Sequence, residues 1–109
     1  MTDLIQARDE SRRLMKEALK ERLERGRIWR EADRNYHIIK AETTARLLGE
    51  GKPATLVKDL VRGDKAVAEA DYERGLAKDA FENSTEAINV YKIDVKVIEG
   101  DIDREWHSQ

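Results

Sequence analysis

The eight residues Tyr91-Lys92-Ile93-Asp94-Val95-Lys96-Val97-Ile98 can be read in two ways, and the choice decides the fold. From Lys92 to Val97 polar and apolar side chains alternate strictly, the apolar ones are β-branched, and Glu99-Gly100-Asp101 follows. Taken alone, the stretch reads as a strand ending in a turn. Its surroundings say otherwise. Stepping by three and four from Val67 gives Val67, Ala70, Arg74, Ala77, Phe81, Ser84, Ile88, Tyr91, Val95, Ile98, Ile102 and Glu105, and nine of these twelve are apolar. This heptad seam runs through Tyr91 to Ile98 without a phase break, and a strand there would find no second strand to pair with. The periodicity therefore predicts one long helix over about 64–105, with Asp64 as its N-cap. Gly100 would cost about 1 kcal/mol inside it.

Upstream, glycine and proline cluster at Gly49-Glu50-Gly51-Lys52-Pro53, and Gly63-Asp64 is a second break. Between them Leu56/Leu60 and Val57/Val61 stand at i, i+4, which predicts a short helix over about 54–62 that caps the end of a hairpin. Gly49 or Gly51 suits the left-handed residue that ends a first helix over about 3–48. On that helix Trp29, Ala32, Tyr36, Ile39 and Thr43 keep a 3–4 seam, whereas Leu14, Met15, Ala18, Leu19 and Leu23 follow another phase. The change of phase near Gly26 predicts a kink or break there. The expected fold is all-α: one domain over residues 1–109, built as a long antiparallel helical hairpin with a short capping helix and coiled-coil-like packing. Leu47, Leu48, Ile38, Val90, Ile93 and Val97 lie off the seams and form a second apolar stripe. A hairpin with apolar side chains on two faces is expected to pair with a second copy as a homodimeric four-helix bundle.

Composition narrows the function. The chain has 109 residues, no cysteine, one proline and 40% charged side chains. Without cysteine there is no disulfide framework, thiol nucleophile or zinc knuckle. No apolar run approaches the roughly 18 residues that span a bilayer, and the first residues lack the basic and apolar regions of a signal peptide. No membrane association and a cytoplasmic location are expected. Charge is uneven: residues 1–63 hold 15 Lys/Arg against 11 Asp/Glu, and residues 64–109 hold 6 against 12. Arms of opposite sign steer their own antiparallel pairing.

Little chemistry is legible. Two histidines, three serines, no glycine-rich phosphate loop and no nucleophile elbow leave hydrolytic or phosphoryl chemistry almost nothing to use, so no enzyme and no cofactor are expected. Asp101, Asp103, Glu105 and His107 include i, i+4 pairs, but two ligands do not make a metal site, and a frayed acidic helix end accounts for them. His37 reads as a partly buried or rim residue. The candidate contact residues are those of the seams: Val67, Ala70, Ala77, Phe81, Ile88, Tyr91, Val95, Ile98 and Ile102 on one arm, with Trp29, Tyr36 and Ile39 on the other. Trp106 follows the seam at the chain end, where a monomer could hardly cover it, and is a candidate interface anchor. An alternative is sequence-independent nucleic-acid binding. Arg8, Arg12, Lys16 and Lys20 recur at i+4 as a basic stripe, and Arg27, Arg30 and Arg34 form a second near Trp29. Against it, Asp9, Glu10, Glu17, Glu21 and Glu24 are interleaved at ion-pair spacing.

The words Tyr36-His37-Ile38-Ile39-Lys40-Ala41, Gly51-Lys52-Pro53-Ala54-Thr55-Leu56 and Leu60-Val61-Arg62-Gly63-Asp64, with the closing Ile98 and Ile102-Asp103-Arg104-Glu105-Trp106, resemble a family of small all-helical proteins of phages and prophages in Gram-positive bacteria. The resemblance covers roughly residues 30–106 and carries no catalytic residues. It implies a phage accessory protein, either a partner of recombination or replication proteins or an inhibitor that occupies a host protein's surface. Secreted Trp-x-Gly hairpins match in length, but the turn from Gly49 to Pro53 has no tryptophan and Tyr91 is followed four positions on by Val95, where an acidic residue would stand.

Overall fold

In the computed structural model, which describes residues 1–108, the chain is all-helical, with α1 at Thr2–Gly49, α2 at Ala54–Gly63 and α3 at Lys65–His107. No strand occurs among the described residues, and Lys92 to Val97 is helical. Within α1 the helix passes Gly26 without interruption, and that glycine is buried. Two compact units can be distinguished, one made of Met1–Arg25 with Phe81 onward, the other of Gly26–Ala80.

The Gly26–Ala80 unit contains all of α2 and its turns. Helix α1 ends in a Schellman arrangement in which Lys52 N–H donates to the Leu47 carbonyl (3.1 Å) and Gly51 N–H to that of Leu48 (3.0 Å). Gly51 carries the left-handed φ of +83° that this arrangement requires; Gly49 is the last helical residue. Pro53, which has no N–H to lose, caps α2. Asp64 then joins two helices: its N–H bonds the Val61 carbonyl (3.1 Å), while its carboxylate accepts from Ala66 (3.1 Å) and Val67 (3.2 Å) at the start of α3.

These turns fold α2 so that Val57 and Val61 meet Leu47 and Val67 in a buried cluster, with Tyr36 and Ile39 packed against it. Leu47 is therefore core in the observed fold. It leaves the outer stripe because α2 returns over it. Arg46 ties the end of α1 to Asp64 (3.3 Å), and Arg74 on α3 reaches Asp33 on α1 (3.3 Å).

The other unit pairs the start of α1 with the end of α3, antiparallel. The Met1 α-amino group bonds Glu105 (2.9 Å), Arg12 pairs with Glu99, and Arg22 donates to the Thr85 hydroxyl (3.0 Å). Ser84 and Ile88 are buried; Phe81, Tyr91, Val95, Ile98 and Ile102 are half-buried, as are Leu4, Leu14, Met15 and Ala18 across from them. The guanidinium of Arg22 lies 4.8 Å from the centre of the Phe81 ring, so its stem and charge cover part of this one-sided core.

Candidate interaction surface

Helix α3 has two apolar faces in the unit that contains its C-terminal half. Ile88, Tyr91, Val95 and Ile98 face inward. Val90, Ile93 and Val97 stand at i, i+3, i+7, within an arc of about 60° and roughly 150° around the helix from those four. They are 56%, 62% and 56% exposed. On the α1 segment of the same unit Leu19 and Leu23 are exposed as well. Three β-branched side chains in register on a solvent-facing helix surface form a contiguous patch, which isolated exposed apolar residues do not.

Trp106 is 66% exposed. It stands over an open cleft of about 320 Å³ at the end of this unit, shared with Met1, Ile5, Arg8, Glu99, Ile102 and Asp103. In the Gly26–Ala80 unit, Val67 and Ala70 are buried, and Ala77, Trp29, Tyr36 and Ile39 are half-buried. Leu56 and Leu60 are exposed on α2, about 100° around the helix from the buried Val57 and Val61.

Three of the seven cations of the basic stripe of α1 are neutralised in place, as are Arg13 and Arg25 beside it. Arg8 bonds Asp9 (3.3 Å), Arg12 pairs with Glu99, and Arg27 with Glu31 (2.7 Å). Arg13 bridges Glu10 (2.6 Å) and Glu17 (2.7 Å), and Arg25 holds Glu21 (2.7 Å). The hydrogen bond from Arg13 holds the Glu10 carboxyl below the usual carboxylate range, and the two carboxylates together raise the Arg13 guanidinium. Lys16, Lys20, Arg30 and Arg34 make no ion pair among the described residues.

Two C-terminal carboxylates are likewise taken up, Asp101 by Arg104 and Glu105 by the Met1 α-amino group, and His107 lies 3.3 Å from Asp103. Among the described residues no group of three or more His, Asp or Glu is arranged to hold a metal ion. His37 is exposed and sits 3.5 Å from Asp33. No described helix is long and apolar enough to cross a membrane.

Two features escape a reading by periodicity. Arg74 occupies a seam position, stacks 3.8 Å from the Tyr36 ring centre, and bonds Asp71 and Asp33. Burial opposes its charge, yet the bonds to Asp71 and Asp33 outweigh that and raise its pKa. The only sequence signal is a long cation where the heptad asks for an apolar residue, opposite a ring and a carboxylate. Lys40 from α1 and Lys58 and Arg62 from α2 surround a cleft of about 270 Å³ floored by Tyr36, Val61 and Val67. Folding alone brings those three cations together.

Comparison of the chain with protein-family models, with characterised proteins and with solved structures gives no match.

Proposed function

We propose that this chain is a non-enzymatic accessory protein that works by protein–protein contact through its long helices, pairing with a second copy and engaging a protein partner. The observation that carries this reading is the outward apolar face of Val90, Ile93 and Val97, each more than half exposed on a helix whose opposite face is already packed. Surface of this kind is favoured in water only when something covers it. The exposed Trp106 at the end of the same unit supplies an aromatic anchor of the type that dominates binding energy. The partner in this reading is a recombination or replication protein, or a host protein that is inhibited, in the cytoplasm of the infected cell; the resemblance to small phage and prophage proteins is what suggests it.

The test is side-by-side purification of the tagged wild type and the Ile93→Asp/Val97→Asp variant from Gram-positive cells, with mass spectrometry of what is retained. A protein held by the wild type and lost from the equally helical variant is expected. Identical retention by both would contradict the reading.

A second reading, sequence-independent nucleic-acid binding, is favoured by Lys16, Lys20, Arg30 and Arg34, which no carboxylate neutralises among the described residues. Two phosphate contacts, from Lys16 and Lys20 of one unit, would give a log–log salt slope of about −2 on duplex DNA. Retention on DNA that is absent at low salt, or unchanged by Lys16→Glu/Lys20→Glu, removes it.

A further inference from the structure

We propose that the outer face of α3 binds the same face of a second copy of this chain, helix against antiparallel helix, about a two-fold axis level with Val95. This rests on the contact reading above and names its partner and register. Six residues share the face: Glu86, Val90, Ile93, Val97, Gly100 and Arg104, all within an arc of about 80°. Parallel, in-register pairing would set each Glu86 against its own copy and each Arg104 likewise. Antiparallel pairing about the level of Val95 does the reverse. It sets Ile93 against Val97 of the second copy, twice, and Glu86 beside Arg104 of the second copy, twice. Val90 then meets Gly100, which has no side chain of its own; the Nη1 of Arg104 lies 3.6 Å from where a Cβ would stand, at the far end of a long flexible side chain.

The charges fit the same register. Glu86 is exposed and makes no ion pair among the described residues, whereas Arg104 is already held by Asp101. A guanidinium has five donors and can serve two carboxylates. Asp94 lies about 80° from the middle of the face, where water screens it. The outer face is roughly 150° from the inner one, so the α3 segments stand in the middle of a row of four and a square bundle does not form. With three apolar side chains from each copy the contact is expected to be small beside the roughly 800 Å² per partner of standard interfaces, and the dimer to be reversible.

The experiment is sedimentation of the full chain over two decades of concentration, with charge exchange at the rim. Because the axis makes every substitution act twice, Glu86→Arg and Arg104→Glu should each weaken the dimer about tenfold, and the double variant should recover to within about threefold of the wild type. The chain has no cysteine, so disulfides can map the register cleanly. In one chain positions 86 and 104 stand about 27 Å apart along α3 and cannot join. The Glu86→Cys/Arg104→Cys variant should oxidise to a covalent dimer, and Glu86→Cys alone should not. A monomer at every concentration, a dimer that Glu86→Cys alone locks, or a charge exchange that restores nothing would overturn the proposal. If the chain is monomeric yet loses a bound protein on Ile93→Asp/Val97→Asp, the second copy is wrong and the contact reading stands.

Discussion

Truncating two isoleucines five residues apart on α3 separates its two faces. Ile88 is 4% exposed and Ile93 62% exposed. Ile88→Ala removes three buried carbons at about 0.8 kcal/mol each. A core bounded by two helical segments can close part of the space left behind, which puts the total near the low end of the range for such changes, about 2.5 kcal/mol. Unfolding entropy of about 2.1 cal/mol/K per residue over 109 residues amounts to roughly 0.23 kcal/mol/K, so the melting temperature should fall by about 11 °C. Ile93→Ala removes the same atoms from water-exposed surface and should change folding stability by less than about 0.5 kcal/mol, or about 2 °C. The assay is thermal melting followed by helical circular dichroism, at protein concentrations low enough that self-association adds nothing to either value. Equal losses for the two variants, or a harmless Ile88→Ala, would mean that α3 is rotated from the orientation described and that its outer face is not free.

Other substitutions probe the turns and the charges. Asp64→Ala removes the carboxylate that caps α3 and should cost about 1 kcal/mol in a denaturant melt, with Asp64→Asn retaining most of the stability. Gly51→Ala forces a side chain into a φ of +83° and should cost about 1–2 kcal/mol. By contrast Gly100→Ala, in a helix with room for a methyl group, should gain about 0.5–1 kcal/mol; matching signs for the two glycines would contradict the turn geometry. The Glu10 carboxyl is held below its ordinary range by the bond from Arg13, so its contribution to stability is complete above the unfolded pKa and is lost as pH falls through the lower folded value. Carboxyl-carbon NMR should find its midpoint below the usual glutamate value, returning upward in Arg13→Ala; an unmoved midpoint would show that the pair does not persist in solution.

The fold class was legible because a heptad sustained from Val67 to Glu105 outweighs six residues of local alternation. Lys92 to Val97 has strand-like composition, yet each of its apolar residues falls on one of the two apolar faces of α3, and the segment is helical. What could not be read depends on non-local return of the chain. Leu47 looks like part of the outer stripe until α2 folds back and Val57 and Val61 cover it. The grouping of Lys40 with Lys58 and Arg62 has the same origin. Arg22 and Arg74 pack against Phe81 and Tyr36 because a long aliphatic stem covers apolar surface while its charge finds a ring or a carboxylate, an arrangement periodicity does not encode. The choice between Gly49 and Gly51 as the left-handed residue was open in sequence, since either could end α1; the pair of bonds from Gly51 and Lys52 fixes it at Gly51.

The most direct measurement is the mass of the purified chain in solution as its concentration is raised, for the wild type and for Ile93→Asp. The wild type should move from 12.6 kDa toward twice that value, and the variant should hold at 12.6 kDa with unchanged helix content. A wild type that never leaves the monomer mass, or a dimer that Ile93→Asp leaves intact, would contradict self-association through the outer face of α3.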